Sequence, residues 1–309
     1  MRVLSLFDGI SVAQQALKEL GVLPEYYASE IDKYAISITQ KNHPNTIQMG
    51  SVLEINSPDY QDIDLLIGGS PCQDLSIAKK NRQGLSGSRS GLFWEYVRIL
   101  QEVKPKYFVL ENVNSMPKEV KQVITEALGV EPIMINAALV SAQNRKRLFW
   151  TNIPNVNLPD DRGILLRDII DTTENVIYTN RHRINEKWRV NRSGKSPTLL
   201  SAMGTGGDNV PYVVGVASRT YPRTKQEGVE RKKQIEIRAD EKSNAMTSVS
   251  GDSMVMENDL VRKLTPIECE RLQSLPDNYT EGVSNTQRYK ALGNAFNCAV
   301  IKHILKNII

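Results

Sequence analysis

Cysteine, histidine and long apolar runs are scarce in this 309-residue chain, and each scarcity removes a class of protein. Cysteine occurs at 72, 269 and 298, an odd number with no pair spaced as C-x-x-C, so neither a disulfide framework nor a cysteine zinc site is expected. A reducing, cytoplasmic setting fits this usage. His43, His182 and His303 are scattered, and no metal cluster is expected. No apolar run approaches a bilayer span, which speaks against a membrane partner. The apolar start, Met1 to Phe7, meets Asp8 at once and reads as a buried strand rather than a signal peptide. A G-x-G-x-x-G loop is also missing, so a dinucleotide pyrophosphate lacks its usual cradle.

The length suffices for one large α/β domain and a smaller one. A hydrophobic share of 40% and a charged share of 24% are ordinary for a globular protein. Net charge is only +4, but it is unevenly spread. Residues 181–240 hold 13 Lys/Arg against 6 Asp/Glu, a local +7 that leaves the remainder at −3. A basic stretch in a slightly acidic chain is a docking surface for a polyanion, or simply a solvated face.

Strand and helix signals alternate through the first half. Val3 to Phe7 reads as a strand, followed by a helix capped by Ser11 with Gln14 completing a capping box, and ended by Gly21. Glu25 to Ser29 and Ile63 to Ile67 read as strands, as do Tyr107 to Leu110 and Ile133 to Leu139. Lys33 to Lys41, Leu92 to Val103 and a segment opened by Pro117 through Leu128 read as helices. This rhythm predicts an α/β fold with a doubly wound, mostly parallel sheet that binds ligands beyond the carboxyl ends of its strands. After about residue 154 the composition turns to Asn, Arg, Gly, Ser and Thr, with short β-like runs at Tyr212 to Val216 and Gln234 to Arg238. Two similar runs there, Lys195 to Ser201 and Lys242 to Ser248, suggest a repeated β-loop-β element. A smaller β-rich domain is expected at 157–274, inserted into a domain formed by 1–156 and 275–309. Ala291 to Ile309 reads as a closing helix.

Several chemistry-bearing groups fall at strand ends. Phe7-Asp8-Gly9-Ile10 occupies a strand-to-helix junction, and Glu30 ends the next strand 21 residues after Gly9. A glycine that admits a ligand to the backbone and an acid that accepts from ribose hydroxyls suit a nucleoside moiety, although a tight turn beside an exposed Glu gives the same pattern. Gly68-Gly69-Ser70-Pro71-Cys72-Gln73 follows the third of these strands. The glycine pair and the proline make a held, reactive thiol more natural than a buried one. Glu111-Asn112-Val113 and Gln143-Asn144-Arg145-Lys146-Arg147 bring a carboxyl group and cations to the same edge.

Together these residues resemble the C5-cytosine DNA methyltransferase family. Phe7-Asp8-Gly9, Pro71-Cys72-Gln73, Glu111-Asn112-Val113 and Gln143-x-Arg145-x-Arg147 follow the family's order and rough spacing, as do Arg262 to Gln273 and Gly293-Asn294-Ala295. The first and nucleophile motifs are similar to those of the animal de novo DNA methyltransferases. The resemblance implies S-adenosylmethionine as cofactor, Cys72 as nucleophile on cytosine C6, and Glu111, Arg145 and Arg147 around the base. It implies a cofactor pocket lined by Phe7, Asp8, Gly9, Ile10, Glu30, Ile31, Ser51, Val52, Leu92, Asn294 and Ala295. Double-stranded DNA is the implied partner, gripped by a loop over 73–91 that carries Lys79, Lys80, Arg82 and Arg89, and read by the basic segment. The base must be flipped out to react. A monomer is expected. Two departures stand out: Ser11-Val12 where many members have Gly-Gly, and Ser51 where the third motif usually has Asp. RNA cytosine methylation, a nicotinamide-dependent oxidoreductase and a catalytically dead DNA-binding regulator are the competing readings.

Overall fold

The structure is a computed structural model, and it describes residues 1–70, 90–171, 213–221, 232–237, 242–244, 254–257 and 260–309. In chain order the N-terminal half runs β1 (Arg2–Leu6), α1 (Val12–Glu19), β2 (Glu25–Ser29), α2 (Lys33–Asn42), β3 (Ile47–Gln48), β4 (Leu65–Gly68), α3 (Phe93–Val103), β5 (Tyr107–Val113), α4 (Lys118–Leu128), β6 (Ile133–Asn136), β7 (Gln143–Asn144) and β8 (Lys146–Thr151). The remainder runs β9 (Val213–Tyr221), β10 (Lys232–Ile237), β11 (Ser243–Asn244), β12 (Met254–Glu257), β13 (Leu260–Lys263), α5 (Pro266–Leu272), α6 (Asn285–Asn294) and α7 (Cys298–Leu305). Among the described residues no helix is long and apolar enough to cross a membrane.

Seven strands form one sheet in the order β3-β2-β1-β4-β5-β8-β6. Every neighbouring pair from β3 to β5 is parallel, while β8 is antiparallel to both β5 and β6. Successive side chains of a strand point to opposite faces, and the sequence obeys this on β1. Val3 joins one buried cluster with α1, α2 and α7, whereas Leu4 and Leu6 join a second with α3 and α4. Leu65 and Ile67 sort with Val3, and Leu66 with Leu4, so both faces are covered by helices.

Four local expectations need correction. Ser11 sits at φ 54 and makes no capping hydrogen bond; its hydroxyl turns to Asp8 and Thr39, and the Gln14 side chain instead accepts from Thr46 Oγ1 at 2.6 Å. Pro117 has extended backbone (ψ 149) and precedes the first helical residue rather than occupying it. The strand after α4 stops at Asn136, because the Asn136 carboxamide oxygen accepts from Ala138 N and Arg145 N and starts a tight turn. Gln143 to Arg147, for which the sequence named no element, forms strand β7 and the start of β8. The closing helix is broken at Ala295–Asn297, where the Asn297 side chain caps α7 through Val300 N.

The second sheet, β10-β9-β12-β13, is antiparallel throughout. Its strands cover both β-like runs noted at 212–216 and 234–238 within a residue or two. The first of the two similar runs, Lys195 to Ser201, lies outside the described residues. The chain on either side of this region is buried with the first sheet: Leu166 and Ile170 before it, and Leu264, Cys269 and Leu272 after it, share the cluster of α1 and α7. Asp171 N donates to Glu268 Oε1 at 3.1 Å, and Arg271 donates to Ile169 O and Asp171 Oδ1, so the two flanks are stapled together.

Candidate active site

The loop between β1 and α1 is built around backbone that L-residues rarely adopt. Phe7, Gly9 and Ser11 all have positive φ, at 56°, 63° and 54°. Each such non-glycine residue carries strain and persists only where its surroundings hold it. Here they do. Both Asp8 carboxylate oxygens are engaged inside the fold, one by Tyr26 Oη at 2.8 Å and the other by the Ser11 hydroxyl. Burial pushes the Asp8 carboxyl up, against the hydrogen bonds from Ser11 and Tyr26 that favour its charged form. Tyr279 Oη donates to Ile10 O at 2.8 Å, and His43 Nε2 meets the same hydroxyl at 3.1 Å.

Glu30 lies beside this loop. Its Oε2 accepts from Gly9 N at 2.8 Å and its Oε1 from Ile31 N and Asp32 N, also at 2.8 Å. The 21-residue spacing in the sequence is therefore a direct contact. Ile31, the next residue, is 77% exposed. At the end of β3, Ser51 Oγ accepts from Leu53 N at 3.3 Å, and Val52 is buried. Leu92, half-buried, packs on the α3 cluster just before that helix. Asn294 is exposed at the end of α6, and Ala295 is buried behind it. Lys290 on the same helix reaches Asp32 Oδ2 at 2.6 Å, which holds α6 beside the Glu30 turn.

On the other side, β4 ends in Gly68-Gly69. A Cβ on Gly68 would stand 2.7 Å from the Leu6 carbonyl oxygen, so close strand approach requires glycine there. A Cβ on Gly69 would stand 3.0 Å from the Phe296 ring and 3.3 Å from Glu111 Oε2. Ser70 is buried, and Asn112 Nδ2 donates to its Oγ at 3.2 Å and its carbonyl at 3.4 Å. Asn112 thereby pins the residue from which Pro71-Cys72-Gln73 departs. Cys72 and the loop cations Lys79, Lys80, Arg82 and Arg89 lie outside the described residues.

The reversed strand β8 completes the arrangement. Its register sets Phe149 opposite Glu111 and Arg147 opposite Val113, so Glu111 and Arg147 are diagonal neighbours on one face. Arg147 Nε contacts Glu111 Oε1 at 2.9 Å, with side chains 18% and 13% exposed. Arg145 is buried, and its guanidinium donates to Ala295 O at 2.8 Å and Gly293 O at 3.4 Å. Glu111, Arg145, Arg147, Phe149, Phe296 and Asn297 line a shallow recess, part of it open to solvent.

The sequence-derived residues thus fall into two groups that the fold makes neighbours: Gly9 with Glu30, and Glu111 with Arg147. Sequence reasoning gave no role to Asn112, Tyr279 or Phe296. Asn112 stood within a quoted motif, whereas nothing in the pattern around Tyr279 or Phe296 signals a contact more than 200 residues away.

Comparison with known proteins bears on this arrangement directly. The family model described as C-5 cytosine-specific DNA methylase matches residues 1–309. The orphan methyltransferase M.SPRI of Bacillus phage SPR is 27% identical over 428 residues, covering 100% of this chain and 97% of its own. The type II methyltransferase M.HhaI of Haemophilus parahaemolyticus is 25% identical over 329 residues, covering 100% and 94%. A solved DNA modification methyltransferase encoded within an E. coli prophage superposes with a TM-score of 0.63 at 19% identity, covering 100% of this chain and 98% of its own.

Proposed function

This chain belongs to the C-5 cytosine-specific DNA methylase family, and from that premise we propose how its residues divide the work of a DNA (cytosine-5)-methyltransferase. The observation that carries the reading is the Glu111–Arg147 pair at 2.9 Å, facing a recess beside the Gly69-Ser70 turn that leads into Cys72.

Cytosine C5 is a poor nucleophile because its ring is electron-poor, and covalent catalysis divides the hard step. The Cys72 thiolate adds to C6, forming a sulfur–carbon bond and moving an electron pair toward C5. Glu111 hydrogen-bonds N3 and the exocyclic amino group, where charge develops, and Arg147 holds the O2 carbonyl. Arg145 braces this strand against Gly293 and Ala295. S-adenosylmethionine, when bound, supplies an electrophilic methyl group to C5. Loss of the C5 proton and of Cys72 then restores the aromatic ring.

The residues around Gly9 and Glu30 fit that cofactor. The chain turns away sharply at Gly9, a carboxylate ends the adjacent strand, and exposed Ile31 and buried Val52 offer apolar surface for an adenine ring. Phe7, Ile10, Leu92, Asn294 and Ala295 complete the lining, and Asp8 shapes the loop from within. Ser51, already committed to Leu53 N, still has acceptor capacity for an adenine amino group.

Duplex DNA docks on the segment 157–274, with the basic stretch 181–240 against phosphates and base edges. The buried flanks belong with the catalytic core, so the reading surface falls between 172 and 263. RNA as acceptor has less support, since the matched family description is of a DNA methylase. The test is methyl transfer from labelled cofactor to unmethylated duplex DNA, followed by bisulfite sequencing. Label in cytosine of one sequence context is expected; label in RNA alone, or in adenine, overturns the reading.

A further inference from the structure

Lys242 opens the second of the two similar runs, and the catalytic assignment leaves it without a part. Its ammonium donates to Ala138 O at 2.9 Å, Ile164 O at 2.6 Å and Ser141 O at 3.4 Å. The next residue, Ser243, is buried and donates its N–H to Ala142 O at 2.9 Å. Strand β11 then runs parallel to β7, with Ser243 opposite Gln143 and Asn244 opposite Asn144. Three consecutive residues therefore seize the turn 137–144 from one side.

That turn is densely tied on its other sides. Ser141 Oγ donates to Ala137 O and accepts from Gln143 N, and Asn297 Nδ2 reaches the same hydroxyl. The Asn136 carboxamide takes Ala138 N and Arg145 N. Beyond the turn come Arg145, the residue next to the β11 contact, and Arg147, three residues from it. Arg145 reaches the α6 terminus and Arg147 pairs with Glu111. The chain returning from the basic stretch is thus fastened to the backbone that aims both arginines.

We propose that Lys242 is a positioning residue that couples the seating of the DNA-reading segment to the geometry of Glu111, Arg145 and Arg147. The inference rests on the proposed function above. A lysine suits the task because its ammonium spreads three donors on a flexible stem, and carbonyls from two separate stretches of chain converge on it. Methionine at this position keeps the apolar stem but leaves those carbonyls without the donor.

The experiment compares the full-length wild type with Lys242→Met and Lys242→Arg. Methyl transfer to unmethylated duplex DNA gives kcat and KM, calorimetry gives the affinity for S-adenosylmethionine, and urea denaturation gives the midpoint. Small displacements of catalytic groups cost up to about a hundredfold, so Lys242→Met should lower kcat roughly tenfold to a hundredfold. Cofactor affinity and the midpoint should stay near wild type, and Lys242→Arg should recover part of kcat. An unchanged kcat in an active preparation overturns the coupling alone. So does a loss of kcat matched by loss of cofactor binding and of the midpoint, which marks a purely structural lysine. A wild type that transfers no methyl group to DNA sinks the functional reading, and the coupling with it.

Discussion

Glu111 and Arg147 are joined Oε1 to Nε at 2.9 Å, although one sits on a parallel strand and the other at the start of an antiparallel one. The reversal of β8 is what makes them meet. A parallel strand would bring its last residue, not its first, to the ligand-binding edge of the sheet.

The pair should therefore be sensitive on both sides. Glu111→Gln keeps the size and loses the carboxylate. Removing one donor or acceptor aimed at developing charge costs about 10² to 10³ in kcat, and a loss of that order is expected. Arg147→Lys should also fail, because a single ammonium does not replace a planar fork. Steady-state kinetics on duplex DNA checks both; full activity of Arg147→Lys would remove the arginine from the base site.

Cys72 is expected to form a transient bond to the target base. A duplex carrying 5-fluorocytosine at the target should be trapped as a protein–DNA adduct in the presence of cofactor, since fluorine cannot leave as a proton does. Cys72→Ser should form no adduct and lose nearly all transfer while still binding DNA. A denaturing gel without a shifted band for the wild type would count against covalent catalysis.

Adjacent glycines should respond differently. Gly68→Ala forces a methyl group to 2.7 Å from the Leu6 carbonyl oxygen, and a backbone atom cannot step aside. Overpacking of this kind destabilises by about 1–3 kcal/mol, read as a lower urea midpoint. At Gly69 the neighbours are the Phe296 ring and Glu111 Oε2, which can shift by a few tenths of an ångström. Gly69→Ala should therefore reduce kcat more than stability.

Tyr279→Phe removes the hydrogen bond to Ile10 O and the contact of the same hydroxyl with His43 Nε2. A single hydrogen bond is worth roughly 0.5–1.5 kcal/mol, so cofactor affinity should weaken by several-fold with kcat at saturation little changed. Calorimetric titration with S-adenosylmethionine decides it, and unaltered affinity would show that the loop holds its shape without this clamp.

His43 gives the fold a pH dependence of known sign. Burial, with a smaller contribution from Lys18, lowers its pKa to about 4, so it is neutral in the fold. An unfolded chain takes up the proton near the ordinary value of 6.5. The unfolded state then binds more protons between those values, and this group's share of stability is lost as pH falls from about 6.5 through about 4. Urea midpoints measured across that range should decline less steeply in His43→Gln than in the wild type.

Strands β1, β2, β4 and β5 were legible because each carries a short, largely apolar run followed closely by polar or glycine residues, whereas β3, only Ile47–Gln48, gave no signal. Val3 to Phe7 and Glu25 to Ser29 were found within a residue. The antiparallel β8 was hidden: Lys146 and Arg147 dominate its start and give no strand signal, while Leu148 to Trp150 are too few to signal a strand alone. Ser11 misled because a hydroxyl at a helix start usually caps it, and here the buried Asp8 carboxyl competes for it. Motif residues named the site, but the contact between Glu111 and Arg147 depends on strand register, which spacing along the chain does not encode.

The staple between Asp171 and Glu268, reinforced by Arg271, closes a long excursion of chain at its base. Once a loop's two ends are fixed to each other, doubling its length costs only about 0.6 kcal/mol of further closure entropy. Apart from Lys242–Asn244, which fasten to the turn before β8, and buried Leu264, the chain between those anchors can change in length without loosening the Glu111–Arg147 pair. Under the proposed function, changes in which sequence is methylated accumulate there at little thermodynamic cost to the core.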